Sequence, residues 1–233
     1  MKILIHLFCL ICIVCAIPAF AQGPGGEQQG AAQAWMRFEK ELGMQTTYSV
    51  DMVMQTMGMN MTTRTIRDGG KTRTEMTLPM MNLKMVALEI PEGSYSIFPE
   101  KKKYVLNAGA EQARAAMPAP VIEDLGTEAY EGENCLKRGV TMVQEGVTSK
   151  MIMLISPRQK NMPVKMTVTA NISGTPVQSV ILFKNYNFSR PDGSLFAIPA
   201  GYAPAASMQE IMMESMPDMD SMMQQLQQMA PAE

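Results

Sequence analysis

Methionine thioethers are the first candidates for chemistry in this sequence, which holds 26 methionines in 233 residues. One dense run is Met57-Gly58-Met59-Asn60-Met61, and a second extends from Met208 to Met229. Several thioether sulfurs at close spacing match a soft cation such as Cu(I) or Ag(I). A soft-metal site of this kind would use Met57, Met59, Met61, Met212, Met216, Met219 and Met223.

The second run also has the spacing of an amphipathic helix. Its apolar residues step by three and four from Met212 to Leu226. Pro217 would break that helix or begin a second one after Ser215. Such a stripe would cover an apolar surface or contact a membrane surface or a protein partner, and disorder is the third interpretation. We expect Met208 to Met229 to be dispensable for folding, because Phe196 to Tyr202 is interpreted as the final strand and its exit. Since short isolated helices rarely persist in water, this segment should form only marginal helices unless its methionines find an apolar partner.

The N-terminus has the pattern of a secretory signal peptide. Lys2 supplies the positive charge, and the apolar run from Ile3 to Ile17 is too short to span a bilayer comfortably. Ala19-Phe20-Ala21 is a small-x-small cleavage site. We therefore expect cleavage between Ala21 and Gln22, which would place the mature chain in the periplasm or outside the cell.

Cleavage would also remove most of the reactive side chains. His6 is the only histidine, and three of the four cysteines precede the cleavage site. Without histidine, no His–Met pair is available to a copper site, which weakens the soft-metal hypothesis. Cys135 cannot form an internal disulfide. It is interpreted as a buried small hydrophobe or as a free reactive thiol.

The mature sequence lacks the common signatures of enzymes and nucleic-acid-binding proteins. It contains no Gly-x-Ser-x-Gly, no Cys-x-x-Cys and no glycine-rich phosphate loop. The carboxylates between Glu123 and Glu133 have no aromatic sugar platform nearby and are predicted to form a solvated acidic rim. Loss of Lys2 leaves 19 basic and 22 acidic residues, which gives no support for nucleic-acid binding. We expect a non-enzymatic protein without a cofactor.

Most of the mature chain shows the two-residue alternation of β-strands. The alternation is clearest from Tyr48 to Met54, from Lys71 to Leu78 and from Val164 to Ile172. Asp68-Gly69-Gly70 is a hairpin signal between two of these runs. Around nine or ten short strands in sequential hairpins predict a mainly β (α+β) protein with a large antiparallel sheet. One face should be apolar and the other wet.

Two helices are predicted beside the sheet. Apolar residues recur at helical spacing from Ala31 to Leu42, and Gly43 stands where that helix would stop. A second, alanine-rich stretch from Ala108 to Met117 ends at Pro118. The glycine- and glutamine-rich residues 22–30 are predicted to form a flexible leader.

Four short motifs carry a resemblance to a known family. Gly69 to Met76 (GGKTRTEM) is similar to its gly-polar-arg-x-glu hairpin return, and Leu125 to Cys135 to its G-x-E-x-x-x-G-x-x-C stretch. Pro163-Val164-Lys165 is similar to its Pro-hydrophobic-Lys, and Leu195 to Tyr202 (LFAIPAGY) to its closing lF-x-x-P-x-G-Y. In this order the motifs resemble the LolA-like family of periplasmic lipoprotein-sorting and lipid-handling proteins, in particular a branch of unknown function.

The resemblance implies a curved half-barrel of antiparallel strands whose open mouth is covered by helices. In the sorting proteins the enclosed apolar cavity holds lipoprotein acyl chains. This sequence lacks the family's tryptophan near Leu154-Ile155 and carries far more methionine. The expected organisation is a signal peptide (1–21), a flexible leader (22–30), a LolA-like half-barrel domain (31–203) and a methionine-rich tail (204–233).

The inward positions of the predicted strands are rich in methionine, a flexible side chain that can repack around irregular apolar ligands. We predict that a hydrophobic ligand, either a lipid or a lipoprotein acyl chain, binds there. The predicted ligand-binding residues are Val50, Met52, Met54, Met76, Met142, Val164, Met166 and Val168. The alternative is that these methionines only fill a core.

Overall fold

The computed structural model describes residues 39–56, 59–78, 83–107, 121–144, 147–172 and 175–215. These residues form twelve strands, two short 3₁₀ helices and the α-helix Met208–Ser215, and residues 39–42 are also helical. The signal peptide, the leader, most of the predicted first helix and the stretch from Ala108 to Met117 lie outside the described residues.

Every strand belongs to a single open sheet with the order β12-β6-β5-β4-β3-β2-β1-β11-β10-β9-β8-β7. Each of the two halves of the chain forms a meander, and the antiparallel pairing of β1 with β11 joins them. Only the pairing of β12 with β6 is parallel among the described strands. The predicted mainly β class with a curved antiparallel sheet is confirmed, with twelve strands where nine or ten were expected. The strands are β1 (Thr47–Thr56), β2 (Met59–Asp68), β3 (Lys71–Leu78), β4 (Leu83–Ile90), β5 (Gly93–Phe98), β6 (Lys103–Leu106), β7 (Val121–Tyr130), β8 (Glu133–Gln144), β9 (Val147–Ser156), β10 (Met162–Ile172), β11 (Thr175–Asn187) and β12 (Ala203–Pro204).

Glycines end elements at the places that the sequence predicts. Gly43 has a φ of +61° directly after the helical residues 39–42, where the Met44 N–H donates to the Glu39 carbonyl at 3.1 Å. This left-handed turn with its backward hydrogen bond is a common helix C-terminus. Gly69, with a φ of +59°, lies in the predicted hairpin between β2 and β3.

One face of the sheet carries the alternating residues of β1 and β10 and is here called the methionine face. It is defined by Val50, Met52, Met54, Met166 and Val168, all of which are buried. They belong to a first apolar cluster that spans the strands from β8 to β1. Its buried members are Met44, Tyr48, Val50, Met52, Met54, Val140, Met151, Met153, Ile155, Met162, Met166, Val168, Ile181 and Phe183.

A second apolar cluster lies on the same face at the other end of the sheet. Cross-strand pairing runs from Met52 through Thr63 and Met76 to Met85, so these side chains share one face. The C-terminal helix packs here through its buried Ile211. The cluster contains Met76, Leu78, Leu83, Met85, Ala87, Phe98, Val105 and Ile211.

The opposite face differs between the two halves of the sheet. Behind β2 to β5, Val86, Leu88 and Ile97 are buried by the segment around the 3₁₀ helix Gly193–Phe196, whose Phe196 completes a third apolar cluster. This second apolar face departs from the expectation of one apolar and one wet face. On the other half this side carries Lys137 and Lys165 on β8 and β10, but Leu154 of β9, which pairs with both, is buried.

Candidate functional site

Five of the predicted ligand-binding residues come together on the methionine face. Val50, Met52 and Met54 are buried at successive inward positions of β1, and Met166 and Val168 occupy the matching positions of β10. A shift of either strand by one residue would move its side chains to the opposite face. The burial of these five residues on one face therefore agrees with the register that the alternation predicts. Strand β11 lies between the two strands and contributes Ile181 and Phe183.

The other three predicted residues are placed differently. Met76 is buried on the methionine face but belongs to the second cluster. Met142 of β8 pairs with Ser149 of β9, and the side chain of Met142 lies outside the described part of the structure. Val164 does not share the inward position of Met166, because β10 has a bulge at this point. Pro163 pairs with Ile155 and Lys165 with Leu154, which leaves Val164 as the extra, half-buried residue.

Methionine supplies seven of the fourteen buried residues in the first cluster. Thioether side chains rotate about three bonds and adapt to irregular shapes more readily than branched aliphatic ones. This half of the methionine face can therefore repack around an apolar guest without a large change in side-chain volume. Aromatic rings mark one end of the cluster, where Tyr186 stacks on Phe188 at 5.7 Å and meets Tyr48 edge-on at 6.1 Å.

Hydrogen bonds fix that aromatic end. The hydroxyl of Tyr186 donates to the Pro163 carbonyl at 2.7 Å, and burial raises its pKa well above the ordinary value. Asn161 donates through its side-chain amide to the Leu42 carbonyl at 2.9 Å, which ties the first helix to the turn before β10. Leu42 itself packs against the first cluster, as the apolar stripe of that helix predicts.

Sequence reasoning missed a group of buried polar side chains on the methionine face of β2 to β6. This group, here called the polar quarter, comprises Thr63, Thr65, Thr74, Ser94, Ser96 and Asn107, all buried. Two pairs within it hydrogen-bond: the Thr65 and Thr74 hydroxyls lie 3.3 Å apart, and the Asn107 amide donates to Ser96 Oγ at 3.2 Å. The same-face spacing of Thr63 with Thr65 and of Ser94 with Ser96 was the available signal, but threonine is also a common strand residue.

A charged pair borders the polar quarter. Arg67 pairs with Tyr48 across β1 and therefore points to the methionine face. Its guanidinium donates to both carboxylate oxygens of Glu39, one of them at 2.9 Å, with side-chain exposures of only 16% and 10%. Two parallel hydrogen bonds of this kind hold the guanidinium in one orientation. The pair joins the first helix to the sheet.

The C-terminal helix closes the far end of the methionine face. Ile211 is fully buried in the second cluster, and Met208 packs beside it, whereas Met213 is 66% exposed. Lys103 donates to Glu210 at 3.1 Å and to Glu214 at 2.5 Å. Hydrogen bonds to Glu214 and Glu210 raise the pKa of Lys103. Among the described residues of this helix, Met208 and Ile211 are the positions that pack in the second cluster.

The predicted soft-metal residues are only partly described. Met59 and Met61 lie two positions apart on β2, and Met61 packs against the first cluster opposite Met54. Met212 is half-buried on the C-terminal helix. The remaining four candidates, Met57, Met216, Met219 and Met223, fall outside the described residues. Within the described ranges, no group of three or more histidine, cysteine, aspartate or glutamate side chains could hold a metal ion.

The carboxylates of β7 and β8 are largely paired with cations. Glu128 contacts Lys137 at 2.7 Å, and this hydrogen bond lowers the pKa of Glu128. Asp124 contacts Arg138 at 2.6 Å. Both acids lie on the edge strand β7, most of whose side chains are exposed. This arrangement fits the solvated acidic rim expected from the sequence.

Cys135 is buried on β8, as one of its two interpretations requires. Burial raises the pKa of its thiol, and the nearby Glu133 adds to the shift. Within the described ranges, no helix has the length and the apolar character needed to cross a membrane.

Comparison with known proteins gives a likeness of fold. No protein-family model matches the sequence, and no curated protein matches it either. An uncharacterized conserved protein from Thermus thermophilus superposes with a TM-score of 0.54 at 12% identity. The alignment covers 76% of this chain and 99% of the other. This likeness shows a shared fold and nothing about activity.

Two further solved structures match with lower scores. A LolA superfamily protein from Nitrosomonas europaea has a TM-score of 0.37 at 10% identity and covers 71% of this chain and 97% of its own. The Pseudomonas aeruginosa MucA/MucB complex gives 0.44 at 13% identity, with 72% of this chain and 60% of the matched chain covered.

Proposed function

We propose that this protein is an exported, non-enzymatic carrier that holds a hydrophobic ligand, a lipid or a lipoprotein acyl chain, on the methionine face. The observation that carries the proposal is the first apolar cluster, in which half of the buried residues are methionines. A cluster that served only as a core would gain more order from branched side chains, which have fewer rotamers. Flexible side chains suit a surface that must accept an irregular guest.

The C-terminal tail is the proposed contact for a protein partner or a membrane surface. Met213 points away from the docked side of the C-terminal helix and is largely exposed. Further methionines follow in the sequence at Met216, Met219 and Met223, and exposed apolar side chains mark interaction sites when they form a continuous patch. The resemblance to periplasmic sorting proteins supports a location outside the cytoplasm.

Native mass spectrometry of the full chain purified from its own host tests the ligand. We expect an adduct with the mass of a lipid that organic extraction removes. An adduct with the mass of copper would instead favour the soft-metal hypothesis built on Met57, Met59 and Met61. If neither adduct appears and no added lipid binds, the carrier proposal is wrong.

A volume-matched substitution tests whether methionine flexibility matters. Met52→Leu together with Met166→Leu keeps the apolar volume of the first cluster but reduces its adaptability, and such swaps usually cost less than about 1.5 kcal/mol of stability each. We expect the double variant to bind a narrower set of acyl chains than the wild type. Met213→Leu on the exposed side of the C-terminal helix is the control and should leave that range unchanged.

A further inference from the structure

The polar quarter is a concentration of buried polar side chains on a face whose two clusters are apolar. Hydroxyl and amide groups buried in an apolar surface are unfavourable unless each finds a hydrogen-bond partner. Thr65, Thr74, Ser96 and Asn107 satisfy one another in pairs. Nothing in the packing of the sheet requires hydroxyls at these positions, since alanine and valine serve at the neighbouring Ala87 and Val105.

Two hydroxyls of the polar quarter remain without a partner. Ser94 is 9% exposed and Thr63 is 1% exposed, and neither hydroxyl oxygen makes a hydrogen bond. Ser94 lies directly beside the bonded pair, because the Asn107 N–H donates to the Ser94 carbonyl at 2.8 Å. A serine hydroxyl can donate one hydrogen bond and accept two. Ser94 therefore offers unused hydrogen-bonding capacity on the methionine face.

The polar quarter and the first cluster are connected by one row of side chains. Cross-strand pairing runs from Val50 through Thr65, Thr74 and Ala87 to Ser96. Four strand spacings of roughly 4.8 Å give a span of about 19 Å. One extended acyl chain with a polar head can cover that distance.

The charges around the polar quarter select against an anionic head group. Arg67 is held by the carboxylate of Glu39 through two hydrogen bonds, so the positive charge is already balanced. A phosphate or a fatty-acid carboxylate at Ser94 would have to compete with Glu39 for Arg67, whereas an uncharged head group needs no cation.

We propose that the polar quarter binds the uncharged, hydroxyl-bearing head group of an amphiphile whose acyl chain lies on the first cluster, and this inference rests on the proposed carrier function. Ser94 supplies hydrogen bonds to the head group, and Thr63 supplies one closer to the chain. The ligand class is a neutral glyceride or a similar polyol ester.

Three amphiphiles with the same acyl chain test the proposal on the full-length protein: palmitoyl monoacylglycerol, palmitate and palmitoyl lysophosphatidylglycerol. Displacement of a fluorescent acyl probe reports the affinity of each. We expect the monoacylglycerol to bind about fivefold or more tightly than either anion, as one or two hydrogen bonds would give. Ser94→Ala should remove most of that preference without lowering the melting temperature, because the hydroxyl loses no partner.

Ser179→Ala is the matched control, since Ser179 is a buried hydroxyl on the same face that donates to Thr56 at 2.8 Å. It should leave the head-group preference intact. Thr63→Val keeps the shape of the side chain and gives a second test, with a smaller loss expected. Equal binding of all three amphiphiles, or tighter binding of an anion, would overturn the head-group inference while the carrier function stands. Absence of binding by all three would overturn both.

Discussion

Strands β2 to β6 and strands β7 to β11 belong to one sheet but are packed differently. The first set is covered on both faces, by the C-terminal helix on one side and by the segment around Phe196 on the other. The second set keeps Lys137 and Lys165 on its outer face and carries most of the methionine cluster on its inner one. From this difference we infer that strands β2 to β6 contribute most of the stability, and that the acyl chain of the proposed ligand lies mainly on the first cluster, with only its head group reaching the polar quarter.

Phe196 should produce the largest loss of stability. It is 5% exposed and completes the third cluster against Val86 and Leu88, so Phe196→Ala leaves a cavity between the segment and the sheet. We expect a loss of about 3–4 kcal/mol in the free energy of unfolding. Denaturant titration followed by circular dichroism measures it. Leu125→Ala on the exposed edge strand is the control and should cost less than about 0.5 kcal/mol.

If Phe196→Ala cost no more than the Leu125 control, the third cluster would not be a structural core. The two halves of the sheet would then tolerate side-chain truncation equally, and the proposed division between stability and binding would fail. Binding of an acyl probe by the folded variant provides the second half of this test. Its affinity should be unchanged, because Phe196 lies on the face opposite the first cluster.

Ile211→Ala should produce the next largest effect. Burial of Ile211 in the second cluster predicts a loss of about 2–3 kcal/mol on truncation of the side chain. Met213→Ala on the exposed side of the same helix should change stability little. Thermal unfolding of both variants decides between this prediction and the sequence-based expectation that Met208 to Met229 is dispensable for folding. Equal, negligible losses in the two variants would favour that expectation.

Alternation and turn residues predict this fold well because both are local. Val50, Met52 and Met54 follow a strict period of two, and Asp68-Gly69-Gly70 has the composition of a hairpin turn. Contacts between residues that are far apart in the sequence cannot be predicted from such local patterns. The bulge that displaces Val164 depends on pairing with Ile155, and the burial of Phe196 depends on strands from the first half of the chain.

The candidate site, like the fold, could be predicted only where the pattern within a single strand is sufficient. The five residues Val50, Met52, Met54, Met166 and Val168 share the face that the alternation predicts, because each strand alone shows which side is apolar, whereas Val164 on β10 does not, because of the bulge. The polar quarter escaped notice because a buried threonine and an exposed threonine look alike in a sequence. Only the register across β2, β3 and β5 brings Thr65, Thr74 and Ser96 into one row.

The rate at which Cys135 is labelled measures whether strands β7 and β8 open independently of the covered strands β2 to β6. Its thiol is fully buried on β8, beside the exposed edge strand β7, and its raised pKa keeps it protonated at neutral pH. We expect slow labelling by a disulfide reagent in the native protein. Phe196→Ala should leave that rate unchanged if β7 and β8 open locally. A rate that rises in proportion to the lost stability would mean that only global unfolding exposes Cys135.

The smallest expected effect is the pH dependence of the docking of the C-terminal helix. The helix packs on the second cluster and also pairs with the charge of Lys103. A hydrogen bond from the Ala206 N–H, followed by one from Lys103, lowers the pKa of Glu210 below the ordinary 4.5. A lowered carboxyl pKa stabilises docking above about pH 5, and this contribution is lost as the pH falls through the folded-state value. The raised pKa of Lys103 stabilises docking below its ordinary 10.5 and is lost as the pH rises through the folded-state value.

Docking of the helix should therefore be constant between about pH 5 and pH 10 and weaken on either side. Amide hydrogen exchange of Met208–Ser215, corrected for the intrinsic exchange rates, measures it. Because these groups are exposed and screened, we expect a modest loss of protection at about pH 3.5, while the strands keep theirs. Glu210→Gln should flatten the acid side of the profile. If this variant still lost protection at acid pH, Ile211 and its neighbours would hold the helix without help from Glu210. The two ends of the methionine face would then differ only in their apolar packing.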